Sequence, residues 1–150
     1  MLLALAVVLA GISLYINRDW FGKDDIQIYH RSRPIRAGFF GGRKGAMPDN
    51  SDVDPIVFGF GRKLKLTSLK VVPVSGFETN KYILPLWHLV SESNSAPTKA
   101  FVYGMAIKGM HPAVKDATAH ALEPDVKYRL FIDAGPIKLE HDFVPVARTQ

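Results

Sequence analysis

The chain has 150 residues, carries 19 Lys and Arg against 14 Asp and Glu, and contains no cysteine. Its length and its 47% hydrophobic content suit one globular domain. The missing cysteine excludes disulfides, a thiol nucleophile, a lipid-bearing Cys and Cys-based zinc sites.

Residues 1–16, MLLALAVVLAGISLYI, form an uncharged apolar run with no counterpart later in the chain. As a helix, residues 2–16 cover roughly 22 Å, short of the roughly 30 Å hydrocarbon core of a bilayer. Trp20 and Phe21 suit the headgroup zone, and Arg18 and Lys23 can snorkel, so the expectation is a single-pass membrane anchor through residues 2–16. A cleaved export signal is the rival, although there is no basic start and no good small-x-small site after the run. A buried core helix is the third reading. The basic residues follow the apolar run, which by charge alone places the domain in the cytoplasm. Small β domains behind a lone anchor are more often exported, and Asp19, Asp24 and Asp25 dilute the basic flank. The expected side is therefore periplasmic or otherwise extracytoplasmic.

Residues 18–61 read as a basic, Gly/Pro-rich linker. The net charge of +5 comes entirely from the first half of the chain, because residues 71–150 balance. No acid falls between Ile26 and Pro48, whereas Arg31, Arg33, Arg36, Arg43 and Lys44 all do. Such a stretch beside an anchor most simply meets anionic lipid headgroups, at about 1 kcal/mol per charge near the surface. Nucleic acid or another anionic polymer is the alternative, but Phe39 and Phe40 make a poor stacking platform, so nucleic acid is not the expected partner. Within the linker, residues 26–30 (IQIYH) alternate and suit a short strand, and residues 37–55 have loop composition. Gly59-Phe60-Gly61 and the glycines around Arg43 and Lys44 match neither a P-loop nor a dinucleotide fingerprint.

From Arg62 the pattern becomes short β-branched and aromatic runs separated by turns, which predicts an all-β sandwich or barrel over 62–146, with 147–150 as a tail. Residues 63–74 predict a strand whose alternation slips after Ser68, as at a bulge. Residues 82–92 predict a strand in which Pro85 demands an edge or a kink. Residues 99–107 place Phe101, Tyr103, Met105 and Ile107 on one face, and residues 126–134 do the same for Val126, Tyr128, Leu130 and Ile132. Gly135-Pro136 then turns the chain into a final strand, 137–146, closing a hairpin. Residues 112–122 have helical spacing at Ala113, Val114 and Ala117, with Pro112 suited to a first turn.

The spacing Leu122-x-Pro124-x-x-x-Tyr128 resembles the corner between the fifth and sixth core strands of fibronectin type III domains. The resemblance extends to Trp87 in a second strand, Tyr103 in a third, and the terminal hairpin. Pro85 beside the Trp and the small residues of ATAHAL depart from the family pattern. The resemblance implies a fibronectin type III or immunoglobulin-like antiparallel sandwich behind one N-terminal transmembrane helix. It implies a Tyr hydroxyl tied to the corner backbone, and a non-catalytic module that interacts with or positions another protein of the cell envelope. Family members bind through loops at the sandwich ends or through a sheet face, which makes 75–81, 92–98, 108–116 and 135–137 the candidate surfaces.

Candidates for chemistry are weaker. His30, His88, His111, His120 and His141 are scattered, and Glu140-His141-Asp142 alternate across a strand, so they cannot share one ion. Ser75 lacks the glycines of a nucleophile elbow. No cofactor, metal or catalytic set is expected, and an enzyme remains only if its site is assembled from residues distant in sequence.

Overall fold

The computed structural model of the protein describes residues 26–32, 52–80 and 82–148. Residues 2–16, Arg33, Arg36, Arg43, Lys44 and the glycine-rich stretch 41–45 lie outside them. Among the described residues no helix is long and apolar enough to cross a membrane.

Two antiparallel sheets pack face to face. The strands are β1 (Ile28–Ser32), β2 (Ile56–Leu64), β3 (Ser68–Pro73), β4 (Trp87–Val90), β5 (Thr98–Val102), β6 (His111–Pro112), β7 (Tyr128–Ala134) and β8 (Ile137–Phe143). A short helix, α1 (Val74–Thr79), follows β3. One sheet has the order β1-β2-β5, the other β6-β4-β3-β7-β8. The chain crosses between sheets after β2, after β4 and after β5, so these three connections are not simple hairpins.

Alternation explains the core. Tyr128, Leu130, Ile132 and Ala134 of β7 are buried while Arg129, Phe131 and Asp133 lie on the other face. Opposite them, Ile56, Phe58 and Phe60 of β2 point inward, with Phe58 and Phe60 fully buried. Phe58 meets Phe101 and Phe143 at ring separations of 5.3 and 5.0 Å, and Trp87 meets Tyr103 at 5.1 Å edge to face. The predicted hairpin forms, with Gly135 at φ +63°, a left-handed conformation that glycine adopts without a Cβ penalty.

Several expectations change in detail. The expected slip after Ser68 is instead a change of sheet before it: Leu64 ends β2, Leu66 is fully buried at the crossing, and Ser68 opens an unbroken β3. The irregular register lies in β2 itself, between Gly59 and Leu64, where it pairs with β5. β2 also starts at Ile56, so the strand crosses the expected linker boundary at 62, and the stretch Gly59-Phe60-Gly61 is strand rather than an anion cradle. β1 lies two residues later than 26–30 and pairs with β2 throughout, Ile28 with Phe60 and Ser32 with Ile56. Trp87 opens the fourth strand instead of the second, and Tyr103 follows β5. Pro85 precedes β4, where its missing N–H costs no ladder bond. Residues 113–127 form neither helix nor strand.

Candidate functional site

Leu122 and Tyr128 are buried and Pro124 is half-buried, and the Tyr128 hydroxyl accepts the backbone N–H of Glu123 at 3.0 Å. A second tyrosine shares the task. Tyr103 donates its hydroxyl to the carbonyl of His120 at 2.8 Å. Together they fasten the irregular 113–127 segment, whose backbone also bonds through His120 N–H to Leu86 O, Ala113 N–H to His88 O, Asp125 N–H to Pro145 O and Lys127 O from Val74 N–H. The ATAHAL departure is thus compensated by two phenols.

Two of the scattered histidines meet across the sheets. His30 Nδ1 of β1 lies 2.8 Å from His141 Nε2 of β8, both rings half-buried beside Phe143. The ring centroids are 5.0 Å apart, so the two nitrogens approach head-on with a proton shared between them instead of converging on a common point. Sequence spacing could not reveal this, because 111 positions separate the pair. His141 faces the core side of β8, whereas Asp142 points the other way, bidentate to Arg129 and 2.9 Å from Lys127 Nζ. The Arg129 guanidinium, with Lys127 behind it, holds the Asp142 carboxyl well below the usual carboxylate range. Among the described residues no group of three or more His, Asp and Glu side chains could hold a metal ion.

Burial lowers the pKa of His30, His88 and His141 below 6.5, assisted at His88 by Lys70 and at His141 by His30. The unfolded chain therefore binds more protons than the folded one just below pH 6.5, and stability rises with pH there. The expected result is a melting temperature that falls between about pH 7.5 and about pH 5.5, above the range where carboxylates titrate. Replacing both His30 and His141 by leucine should make that slope shallower, which thermal denaturation across the pH range reads directly.

Of the four expected binding loops, 92–98 and 135–137 and the first part of 108–116 gather at one end of the sandwich, while β6 carries residues 113–116 to the other end. Residues 92–98, the 108–110 turn and the 135–137 hairpin join the β2–β3 crossing there. Thr67 staples them: its Oγ1 donates to Asn94 Oδ1 at 3.2 Å and accepts Gly135 N–H at 3.1 Å. Ser95 Oγ accepts Leu66 N–H at 2.8 Å and donates to Ala96 O. Gly109, at φ +84°, lets the 108–110 turn press against the Ser95 backbone, where a Cβ would sit 3.2 Å from Cα. Between the loops lies an open recess of about 330 Å³ lined by Arg62, Lys63, Lys65, Asn94 and Gly135 among others. Of the expected loop 75–81, the described residues 75–80 fall at the opposite end, where 74–79 are helical instead of loop. Beyond that helix Tyr82 and Leu84 stand 94% and 85% exposed.

Of the expected basic contacts, only Arg31 is among the described residues, exposed on β1. The cluster of Arg62, Lys63 and Lys65 is not singled out by the strand patterning that residues 63–74 show. The signal available was their run, R-K-L-K, ahead of a sheet crossing. Comparison with protein-family models, curated proteins and solved structures finds no match for this chain.

Proposed function

We propose that this protein is a membrane-anchored, fibronectin type III-like β-sandwich that binds or positions another protein of the cell envelope and carries out no catalysis. The observation that carries the reading is the order of parts: an uncharged apolar run at residues 1–16, then a two-sheet antiparallel sandwich. The finer family reading is supported by a three-stranded sheet facing a larger one, the Tyr128 corner ahead of β7, and the terminal β7–β8 hairpin. Exposed Tyr82 and Leu84 support a protein partner, since aromatic and aliphatic anchors on a surface are what such interfaces bury.

The anchor is tested by comparing the full chain with a variant lacking residues 1–17 in fractionated cells. The full chain is expected in the membrane fraction, resistant to salt and alkaline washing, and the shortened variant in the soluble fraction. Persistent membrane attachment of the shortened variant overturns the anchor. Protease treatment of intact and lysed cells then reports the side: digestion from outside supports the extracytoplasmic placement, and protection until lysis rejects it.

A further inference from the structure

β1 and β2 fix where the N-terminal chain meets the sandwich. The two strands are antiparallel, and Gly61 N–H donates to Gln27 O, so the chain arrives at the end where β2 finishes. Arg62, Lys63, Lys65, Lys99, Lys108 and Lys138 sit at that end, accompanied among the described acids by Glu92 and Asp133. Among the described residues no ion pair holds Lys63, Lys65, Lys99, Lys108 or Lys138. The opposite end is only modestly acidic, with Asp52, Asp54, Glu78, Asp116, Glu123 and Asp125 set against Arg31, Lys115, Lys127 and Arg148. The sandwich is thus electrically polar along its strands, and its positive pole is where the N-terminal segment joins.

We propose that this basic end is a membrane-facing surface that rests on anionic phospholipid headgroups and turns the acidic end, with Tyr82 and Leu84, away from the bilayer. The proposal rests on the anchor reading above. Residues 17–25 have a contour of at most about 30 Å, so a chain inserted through residues 2–16 holds the basic end close to the lipid surface at high effective concentration. Under such tethering a weak attraction suffices, and each cation near an anionic surface favours contact about fivefold. The Thr67 and Ser95 staples keep the loops of this end together as one surface. Lipid is favoured over nucleic acid because the recess is lined without an aromatic side chain on which bases could stack.

The chain has no cysteine, so a single introduced thiol labels one site. Full-length protein carrying Pro136→Cys, at the tip of the basic end, or Val114→Cys, near the acidic end, is labelled with a fluorophore. It is reconstituted into vesicles of phosphatidylcholine alone or mixed with phosphatidylglycerol, each with a headgroup quencher. Flotation with both vesicle types reports the anchor; quenching reports orientation. The expected result is strong quenching at 136, little at 114, dependence on phosphatidylglycerol, and relief by high salt. Lys63→Glu, Lys65→Glu and Lys138→Glu should each lower the ratio of apposed to detached protein by about fivefold or more while flotation stays unchanged. Equal quenching at both positions, or no dependence on phosphatidylglycerol, in protein that floats overturns the proposal and leaves the anchor standing. Failure to float removes the anchor and the proposal with it. Retention of a single-stranded oligonucleotide by protein in phosphatidylcholine vesicles, lost with the same charge reversals and displacing the apposition to phosphatidylglycerol, overturns the lipid assignment in favour of polyanion binding.

Discussion

Phe58→Ala should cost about 3 to 5 kcal/mol of folding stability, the range for truncating a fully buried aromatic. Phe58 has no exposed surface, and its ring touches Phe101 across the β2–β5 pairing and Phe143 from the facing sheet. It is a contact through which the small sheet is packed on the large one, so the cavity left behind cannot close without moving a strand. Against a total of about 5 to 15 kcal/mol for an ordinary domain, such a loss leaves little reserve. Urea denaturation followed by tryptophan emission checks it, with a lower midpoint as the expected outcome. Phe77→Ala serves as the contrast: Phe77 lies on α1 against Phe131, outside the buried core, and its loss should be much smaller. Equal costs for the two would mean that the sheets are not held together through Phe58.

The strand that carries Phe58 is the one the sequence conceals. Ile56, Phe58 and Phe60 alternate with Val57, Gly59 and Gly61, a period of two that is sound for a strand, but two glycines in succession of alternate positions read as loop chemistry. The structure gives Gly59 a reason: Tyr29 of the neighbouring strand lies over it, and a Cβ there would fall 2.5 Å from the phenol oxygen. A glycine covered by a cross-strand aromatic is compatible with a strand interior, yet that partner lies thirty positions earlier and no local rule connects them. By contrast β7 and β8 were readable because their alternation and their Gly135-Pro136 turn are contiguous. The bond from Glu123 N–H to the Tyr128 hydroxyl is local in the same way, spanning five residues.

The candidate sites divide along the same line. The expected basic contacts were sought where basic residues crowd the sequence, in residues 31–44. The cluster that the fold builds draws on the end of β2 and the crossing after it, the start of β5, the β5–β6 connection and the start of β8, each contributing one to three cations. Dispersed charges become a surface only through the topology that brings their loops to one end. The His30–His141 contact follows the same logic, because an edge strand and the final strand meet only after both sheets are in place.

Tyr128→Phe should lower stability by about 1 to 3 kcal/mol, because it keeps the ring and strands the Glu123 N–H without its acceptor. Tyr103→Phe removes a donor from the His120 carbonyl, a group with a second lone pair and partial access to water, and its cost should be nearer 1 kcal/mol. Both hydroxyls hold one irregular segment that has no ladder of its own to fall back on. Releasing either lets the segment loosen, and the remaining bond then restrains less, so the double substitution should cost less than the two single costs together. Denaturant midpoints for the two single variants and the double variant test this, read with unchanged slopes so that the unfolded state is not in play. Strict additivity would mean that the two phenols stabilise separate pieces of backbone and that the 113–127 segment is not a unit. A shortfall of more than about 0.5 kcal/mol, the additivity error of distant sites, identifies the segment as one element fastened at two points. In that case the corner tyrosine and its partner together hold the connection from β6 to β7, two strands of the larger sheet, in place of the regular strand that ATAHAL does not form.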